Sequence, residues 1–323
     1  MARDVNDQLT KYLTDAHSIE EQALQQLRRA PAIAGDPAIA KAFEDHRAET
    51  QMHERTVREL LHARGATPNV VKDVAMRAGG VGFLLFARLQ PDSTGKLLAH
   101  AHSYEALEFA AYELLARAAD LVSDESVAEA ARRIAGQEHA MQERLAGLFD
   151  AAVDASLREL DDDARRGRIL KYLSDAHAIE AQAIQLLERG PKLADDERLA
   201  QAYEEHLAET RDQQELVEAR LHELGGRTNA LKDAALRLGA LNWGLFFAAH
   251  PDTPGKLAAF AYAFEHLEIA AYELLKRTAA RAGDEQTVGV AETILEQERA
   301  AASRIELLFD RAAAASLEAV GAR

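Results

Sequence analysis

Cysteine is absent from the 323-residue chain. Neither a disulfide nor a thiolate metal site can therefore be built from it. Proline and glycine are scarce, at 7 and 18 residues, and Ala, Leu, Glu and Arg dominate, a composition that favours helix. Long apolar runs are missing as well. None approaches the length needed to span a membrane, and MARDVNDQLTKYL at the start carries no apolar segment of signal-peptide type. A cytoplasmic protein is the expectation. Basic residues are outnumbered, 38 Lys and Arg against 54 Asp and Glu, for a formal net charge of -16. That argues against non-specific binding to nucleic acid or an anionic membrane, which needs a basic surface. It suits a soluble protein or one that handles cations. The 48% of hydrophobic residues suffice for a sizeable core, and the length for about two domains.

The chain is written twice. KYLTDAHSIE at 11–20 returns as KYLSDAHAIE at 171–180, and KAFEDHRAET at 41–50 as QAYEEHLAET at 201–210. PDSTGKL at 91–97 returns as PDTPGKL at 251–257, and AAYELLAR at 110–117 as AAYELLKR at 270–277. The offset never changes, so this is an ungapped duplication of a unit too long for a solenoid repeat. Two domains are expected, 1–160 and 161–323, with the charged stretch RELDDDARRG at 158–167 as a helical join.

Each copy reads as four long helices, in the first at roughly 5–30, 37–64, 93–122 and 125–157. Pro31 and Gly35 stop the first. Asp36 followed by Pro37 reads as a cap and first-turn proline, Gly65 ends the second helix, Asp92 or Ser93 caps the third, and Ser123 or Asp124 the fourth. The first and third connections are short and make antiparallel hairpins. The second is long and holds VVKDVAMRAGGVGFLLFARL, one or two short helices that cover the bundle. GFLLFARL at 82–89 and NWGLFFAAH at 242–250 fit that covering role, or a contact between domains, better than a membrane-surface role. Two hairpins joined by one long crossover define a ferritin-like four-helix bundle. The fold expected is all-α, two such bundles in tandem.

Bundle helices meet along seams with alternating spacings of three and four. In the third helix of the second copy that seam runs Leu257, Ala261, Phe264, Glu268, Ala271, Leu275: apolar except for one glutamate. Glu108 interrupts the matching stripe of the first copy. Glu20 and Glu180 interrupt the first helix, Glu138 and Glu298 the fourth. The second helix is more polar, and the stripe Ile39, Ala42, His46, Glu49, His53, Thr56, Leu60 offers Glu49, with Glu209 in its copy. At 1.5 Å per residue all four glutamates of a copy lie roughly 20–24 Å from their hairpin ends. They can converge mid-bundle.

Four ionised carboxylates in an apolar core repel one another and lose hydration, at several kcal/mol for each unpaired charge. Bound cations remove the problem. Carboxylate and imidazole ligands fit iron or manganese, and the two-metal bundle pattern implies two ions per domain. Glu105 and Glu265 flank the seam on an adjacent ridge and could join the set. His46 and His206 stand three residues before Glu49 and Glu209 on the same face; His17 and His177 stand likewise before Glu20 and Glu180. Each could ligate, or hydrogen-bond a ligand from behind. Tyr112 and Tyr272, four residues after Glu108 and Glu268, could donate to a carboxylate. No catalytic group distinct from the ligands is expected. His53, His102 and His139 have no copy, their partners being Gln213, Tyr262 and Arg299, and His266 replaces Ala106. Such histidines are not required for a chemistry shared by both copies, though they could make the two sites unequal.

These residues resemble those of the YciE/YciF-type ferritin-like stress proteins. Asp15, Glu20 and Gln22 match that family's first-helix motif, as do Asp175, Glu180 and Gln182. His206-Leu207-Ala208-Glu209-Thr210 matches the second; His46 to Thr50 does so with Arg47 in place of Leu. Glu-His-x-Glu-Ile-Ala-x-Tyr stands intact at Glu265 to Tyr272, while the first copy departs at Ala106 and Phe109. In the fourth helix only Glu138 and Glu298 stay in register. The resemblance implies a di-iron, ferroxidase-like site, and a tandem that packs as a covalent pseudo-dimer. One departure concerns ferritins at large, which place His three residues after Glu in helices two and four. Here those positions are Met52, Asp212, Met141 and Ala301.

The expected function is therefore Fe(II) oxidation with oxygen or peroxide reduction, with iron as cofactor and a stress-related setting. The alternatives are a dimanganese, peroxide-disproportionating site, and a non-catalytic helical interaction protein whose glutamates are protonated or salt-bridged. Arginine or lysine reaching into the seam would favour the last. Neither nucleic acid nor membrane is expected as a partner, and the sequence does not fix further oligomerisation.

Overall fold

The computed structural model describes residues 5–68, 93–227 and 252–321. Those residues are helical, with turns between, and the chain divides into two compact units between Ser156 and Leu157. The first unit contains α1 (Val5–Leu27), α2 (Pro37–Ala63), α3 (Ser93–Leu121), α4 (Glu125–Ala146) and α5 (Phe149–Leu157). The second contains α6 (Asp162–Leu187), the single turn α7 (Gly190–Leu193), α8 (Glu197–Glu223), α9 (Thr253–Arg281), α10 (Glu285–Glu306) and α11 (Phe309–Ala319). In the first unit α1 packs on α2 and α3, and α4 on α3 and α2. The ring closes in the same way in the second, with α6 on α8 and α9, and α10 on α9 and α8. Each unit is thus a four-helix bundle made of two hairpins. The expected crossover helices, including GFLLFARL and NWGLFFAAH, and the cap at Asp92 lie outside the described residues.

Local chemistry sets the helix ends. Pro31 lacks an N–H and cannot continue a helix, so α1 stops at Leu27 and a 3₁₀ turn spans Ala30–Ile33. Gly35 then adopts a positive φ of 69°, a conformation that glycine enters without a Cβ clash. Asp36 caps α2, its carboxylate accepting from the N–H groups of Ala38 and Ile39, and Asp196 caps α8 identically. Asp124 and Asp284 cap α4 and α10 through the N–H groups of Val127 and Thr287. Gly65 and Gly225 close α2 and α8 with positive φ.

The fourth helix is not continuous to 157 as the sequence suggests. It breaks after Ala146, and after Glu306 in the second unit. Leu148 N–H turns back to Leu145 and Leu308 N–H to Ile305, tightening the last turn before α5 and α11 begin. Gly147 stands at one break and Leu307 at the matching one, so glycine is not the cause. What the two share is the pair that follows, Leu148-Phe149 or Leu308-Phe309, whose ring the change of direction buries almost completely. The join between units is also interrupted: α5 ends at Leu157, and Asp161 caps α6.

Candidate metal centre

Mid-bundle, the first unit buries Glu20 from α1, His46 and His53 from α2, Glu105 and Glu108 from α3, and Glu138 from α4. His46, Glu105, Glu108 and Glu138 each offer one ligand atom, and these atoms lie within 4.8 Å of one another. Glu20, His53 and Glu138 meet the same condition, so Glu138 belongs to both groups. His46 Nε2 is 3.0 Å from Glu105 Oε2 and 3.3 Å from Glu138 Oε2. His53 Nδ1 is 2.7 Å from Glu138 Oε1 and 3.8 Å from Glu20 Oε1. These contacts are close without being aligned as hydrogen bonds. Both oxygens of Glu108 and both of Glu138 are buried with no hydrogen-bond donor, as are Glu20 Oε2 and Glu105 Oε2. Among the described residues no arginine or lysine pairs with any of these carboxylates.

Surrounding groups orient the ring nitrogens. Glu49 Oε2 lies 3.1 Å from His46 Nδ1. A carboxylate only accepts, so Nδ1 carries the proton and Nε2 faces the cluster. Gln137 Oε1, 3.1 Å from His53 Nε2, likewise turns His53 Nδ1 toward Glu20 and Glu138. The Tyr112 hydroxyl donates to Glu20 Oε1. An apolar layer that includes Leu9, Leu13, Val57, Leu61, Leu115 and Ile134 closes one side of the site. On the other side a small cavity bordered by Leu27, Phe43, Leu97, His100 and Tyr104 reaches Glu105.

The second unit repeats the first group with His206, Glu265, Glu268 and Glu298, all buried. His206 Nε2 is 2.7 Å from Glu265 Oε2 and 3.7 Å from Glu298 Oε2, and Glu209 backs its Nδ1 at 3.2 Å. Tyr272 donates to Glu180. Both oxygens of Glu268 and both of Glu298 are without a donor. Gln213 stands where the first unit has His53, and its amide donates to Gln297 Oε1 at 3.1 Å.

Burial pushes Glu108 well above the usual carboxylate range, and the charges of Glu138 and Glu20 push the same way. Glu20 rises for the same reasons, burial first and Glu138 next, against the bond from Tyr112. In Glu105 burial outweighs the pull of His46 and raises the carboxyl to about 7. Glu138 goes the other way. Burial raises it, but the close approach and charge of His46 and His53 together bring it to about 2. Burial lowers His46, yet its carboxylates, Glu105 foremost, carry it well above the ordinary imidazole value. In the second unit burial raises Glu180 to about 8 and lifts Glu268 well above its usual range. Glu298, unlike Glu138, is also raised: burial and then Glu265 prevail over the single imidazole of His206.

The structure redistributes the residues chosen from sequence. It brings together Glu20, His46, Glu105, Glu108 and Glu138, and in the second unit His206, Glu265, Glu268 and Glu298, with Glu180 beside Tyr272. It does not bring in Glu49 or Glu209, whose side chains are 44% and 32% exposed. The inward stripe of α2 is Ile39, Phe43, His46, Thr50, His53, Val57 and Leu61. Thr50 fills the place assigned to Glu49, which lies about 100° round the helix from it and backs His46 instead. His17 lies on the α1–α2 face, 3.1 Å from Glu54 Oε1, in a separate group with Glu21. The backbone oxygen of His177 accepts from Gln214. Neither histidine is gathered with the central carboxylates. His53 has no copy, which argues against it on sequence alone, yet the structure places it among the candidate ligands. Its seven-residue spacing from His46, two turns along one face, is the signal that marks it.

A family model described as "Domain of unknown function (DUF892)" matches residues 4–158 and, a second time, residues 168–318. No solved structure matches the chain.

Proposed function

From a chain that belongs to the DUF892 family and carries its domain twice, we propose that each bundle is a carboxylate–histidine metal centre that takes up iron and oxidises Fe(II). The observation that carries this is the buried, donorless carboxylate at the heart of each unit, Glu108 and Glu268. An ionised carboxylate so placed costs several kcal/mol without a compensating charge, and among the described residues no arginine or lysine pairs with it, the one neighbouring imidazole being shared with the other carboxylates. The donor set is oxygen and imidazole nitrogen, which suits iron or manganese. The resemblance to YciE/YciF-type ferritin-like proteins supports iron.

Glu20, His46, His53, Glu105, Glu108 and Glu138 would hold metal in the first unit, and Glu180, His206, Glu265, Glu268 and Glu298 in the second. Iron bound there supplies one-electron redox chemistry: two Fe(II) give two electrons, which with two protons reduce oxygen to peroxide, or peroxide to water. The chain does the rest. Glu49 and Glu209 fix the tautomer and tilt of His46 and His206. Tyr112 and Tyr272 hold Glu20 and Glu180 in place. Carboxylates neutralise the charge of the ferric product. The apolar layers keep bulk water from the site.

The test is to strip the protein with chelator, add Fe(II) without oxygen, and then admit air. Ferric absorbance should rise several-fold faster than in buffer, with oxygen consumed in step. Iron that oxidises no faster than in buffer contradicts the reading. Peroxide disproportionation by manganese-loaded protein, with no iron oxidation, would move it to manganese.

A further inference from the structure

Among the residues gathered as candidate ligands the two centres differ at one position, His53 against Gln213, and the difference falls on metal ligation. In the first unit Glu20, His53 and Glu138 bring ligand atoms within 4.8 Å of one another. His53 turns Nδ1 toward both carboxylates because Gln137 takes its Nε2. In the second unit Glu180 and Glu298 remain buried, but the residue at the His53 position is Gln213, itself buried. Its amide nitrogen is engaged by Gln297, the counterpart of Gln137. An amide oxygen is a far weaker ligand for a divalent transition metal than an imidazole nitrogen. Among the described residues, the group that recurs is the one formed by His206, Glu265, Glu268 and Glu298; the histidine-containing group beside it does not.

A surface difference points the same way. In the first unit Arg144 bonds Asp45 at 2.8 Å, with Lys41 on the same carboxylate, and among the described residues Glu49 pairs with His46 and with no arginine or lysine. In the second, Glu205 is bonded by Gln201, and the arginine at the matching place, Arg304, reaches Glu209 instead. The carboxylate behind His206 is thereby partly neutralised, which weakens its power to raise the basicity of the ring.

Resting on the metal-binding reading above, we infer that the centres are unequal: the first unit binds two divalent metal ions tightly, the second one tightly and one weakly. The duplication thus carries a full two-ion site and a reduced one.

Anaerobic Co(II) titration of the chelator-stripped chain, followed by visible absorption and by competition with a chromophoric chelator, tests this without reference to activity. Three tight equivalents are expected, with a fourth at least tenfold weaker. Q213H should convert the weak equivalent to a tight one, for four. H53Q should leave two tight. Each substitution installs the residue that the other unit already accommodates at that position, and thermal melting of each variant checks that it folds. Two or four tight equivalents in the unaltered chain, or an unchanged count in folded Q213H and H53Q, overturn the inequality while leaving metal binding intact. No tight Co(II) binding at all overturns the metal reading itself.

Discussion

Glutamine at both Glu108 and Glu268 will abolish tight metal binding at the His46 and His206 groups, and the metal-free double variant will melt at a higher temperature than the unaltered protein. The two effects have one cause. Glu108 and Glu268 are buried with no donor at either oxygen, and burial with neighbouring carboxylate charge raises both well above their usual range. Each raised unit of pKa is about 1.4 kcal/mol of differential interaction between protonation states. A neutral amide of the same shape removes that penalty and can donate to the adjoining carboxylates. A gain on the order of 1 kcal/mol per unit shifts the melting temperature by about 2–4 °C for domains of this size. Loss of a direct ligand should exceed the roughly 10–100-fold that removing an outer partner costs. E49Q with E209Q supplies that comparison, because those carboxylates back the imidazoles from outside the metal group, Glu209 with Arg304 also on it. Melting in chelator and metal titration read the two halves. A lower melting temperature with unchanged affinity would show that these glutamates are structural ion-pair partners.

Metal affinity will climb steeply with pH while the stability of the metal-free protein declines. Glu105 is raised to about 7 and Glu180 to about 8, and Glu20, Glu108, Glu268, His46 and His206 are raised as well, by burial for the carboxyls and by their carboxylate neighbours, against burial, for the imidazoles. Ligands must shed these protons to bind, so each proton displaced contributes roughly tenfold per pH unit. Between pH 6 and 7.5 affinity should rise on the order of 100-fold or more. The sign for stability follows from the same shifts. A glutamate in the unfolded chain loses its proton near pH 4.3, whereas the folded one keeps it higher. The folded state therefore binds more protons across that window, and stability falls as pH rises through it. For His46 and His206 the stabilisation is present below the ordinary imidazole value and lost as pH passes the raised one. Glu138, lowered to about 2, adds stability that is fully present above the ordinary carboxylate value and is lost only as pH falls through that value toward 2, so it leaves the slope at higher pH unchanged. Thermal melts in chelator from pH 5.5 to 8.5 should decline, and melts with metal should not. A chelated protein whose stability is flat or rises across that range would contradict the electrostatics described for the site.

Much of this centre is legible in the sequence where a single charge interrupts an apolar stripe. Glu20, Glu108 and Glu138 announce themselves that way, because no other reading of α1, α3 or α4 buries the leucines and alanines around them. The second helix is harder, because two stripes one residue apart both pass through His46 and His53. One contains Ala42 and Glu49; the other contains Phe43, Thr50 and Val57. The larger apolar residues decide for the second, which turns Glu49 outward and makes the imidazole the inward group. Thr50 tolerates burial because its hydroxyl bonds the His46 backbone oxygen at 3.0 Å. Glu105 looks like a flanking, solvated residue until α3 is seen to be buried on more than one face, where it meets His46. The break before Phe149 carries no local signal: glycine at one copy and leucine at the other give the same turn, set by burial of the ring that follows.

The most direct test of the central claim is anomalous diffraction at the iron edge from crystals grown of iron-loaded protein. Peaks should lie among His46, Glu105, Glu108 and Glu138 and among His206, Glu265, Glu268 and Glu298. Maps with no peak at either place, and with these glutamates turned to solvent or paired with arginine or lysine, would contradict it.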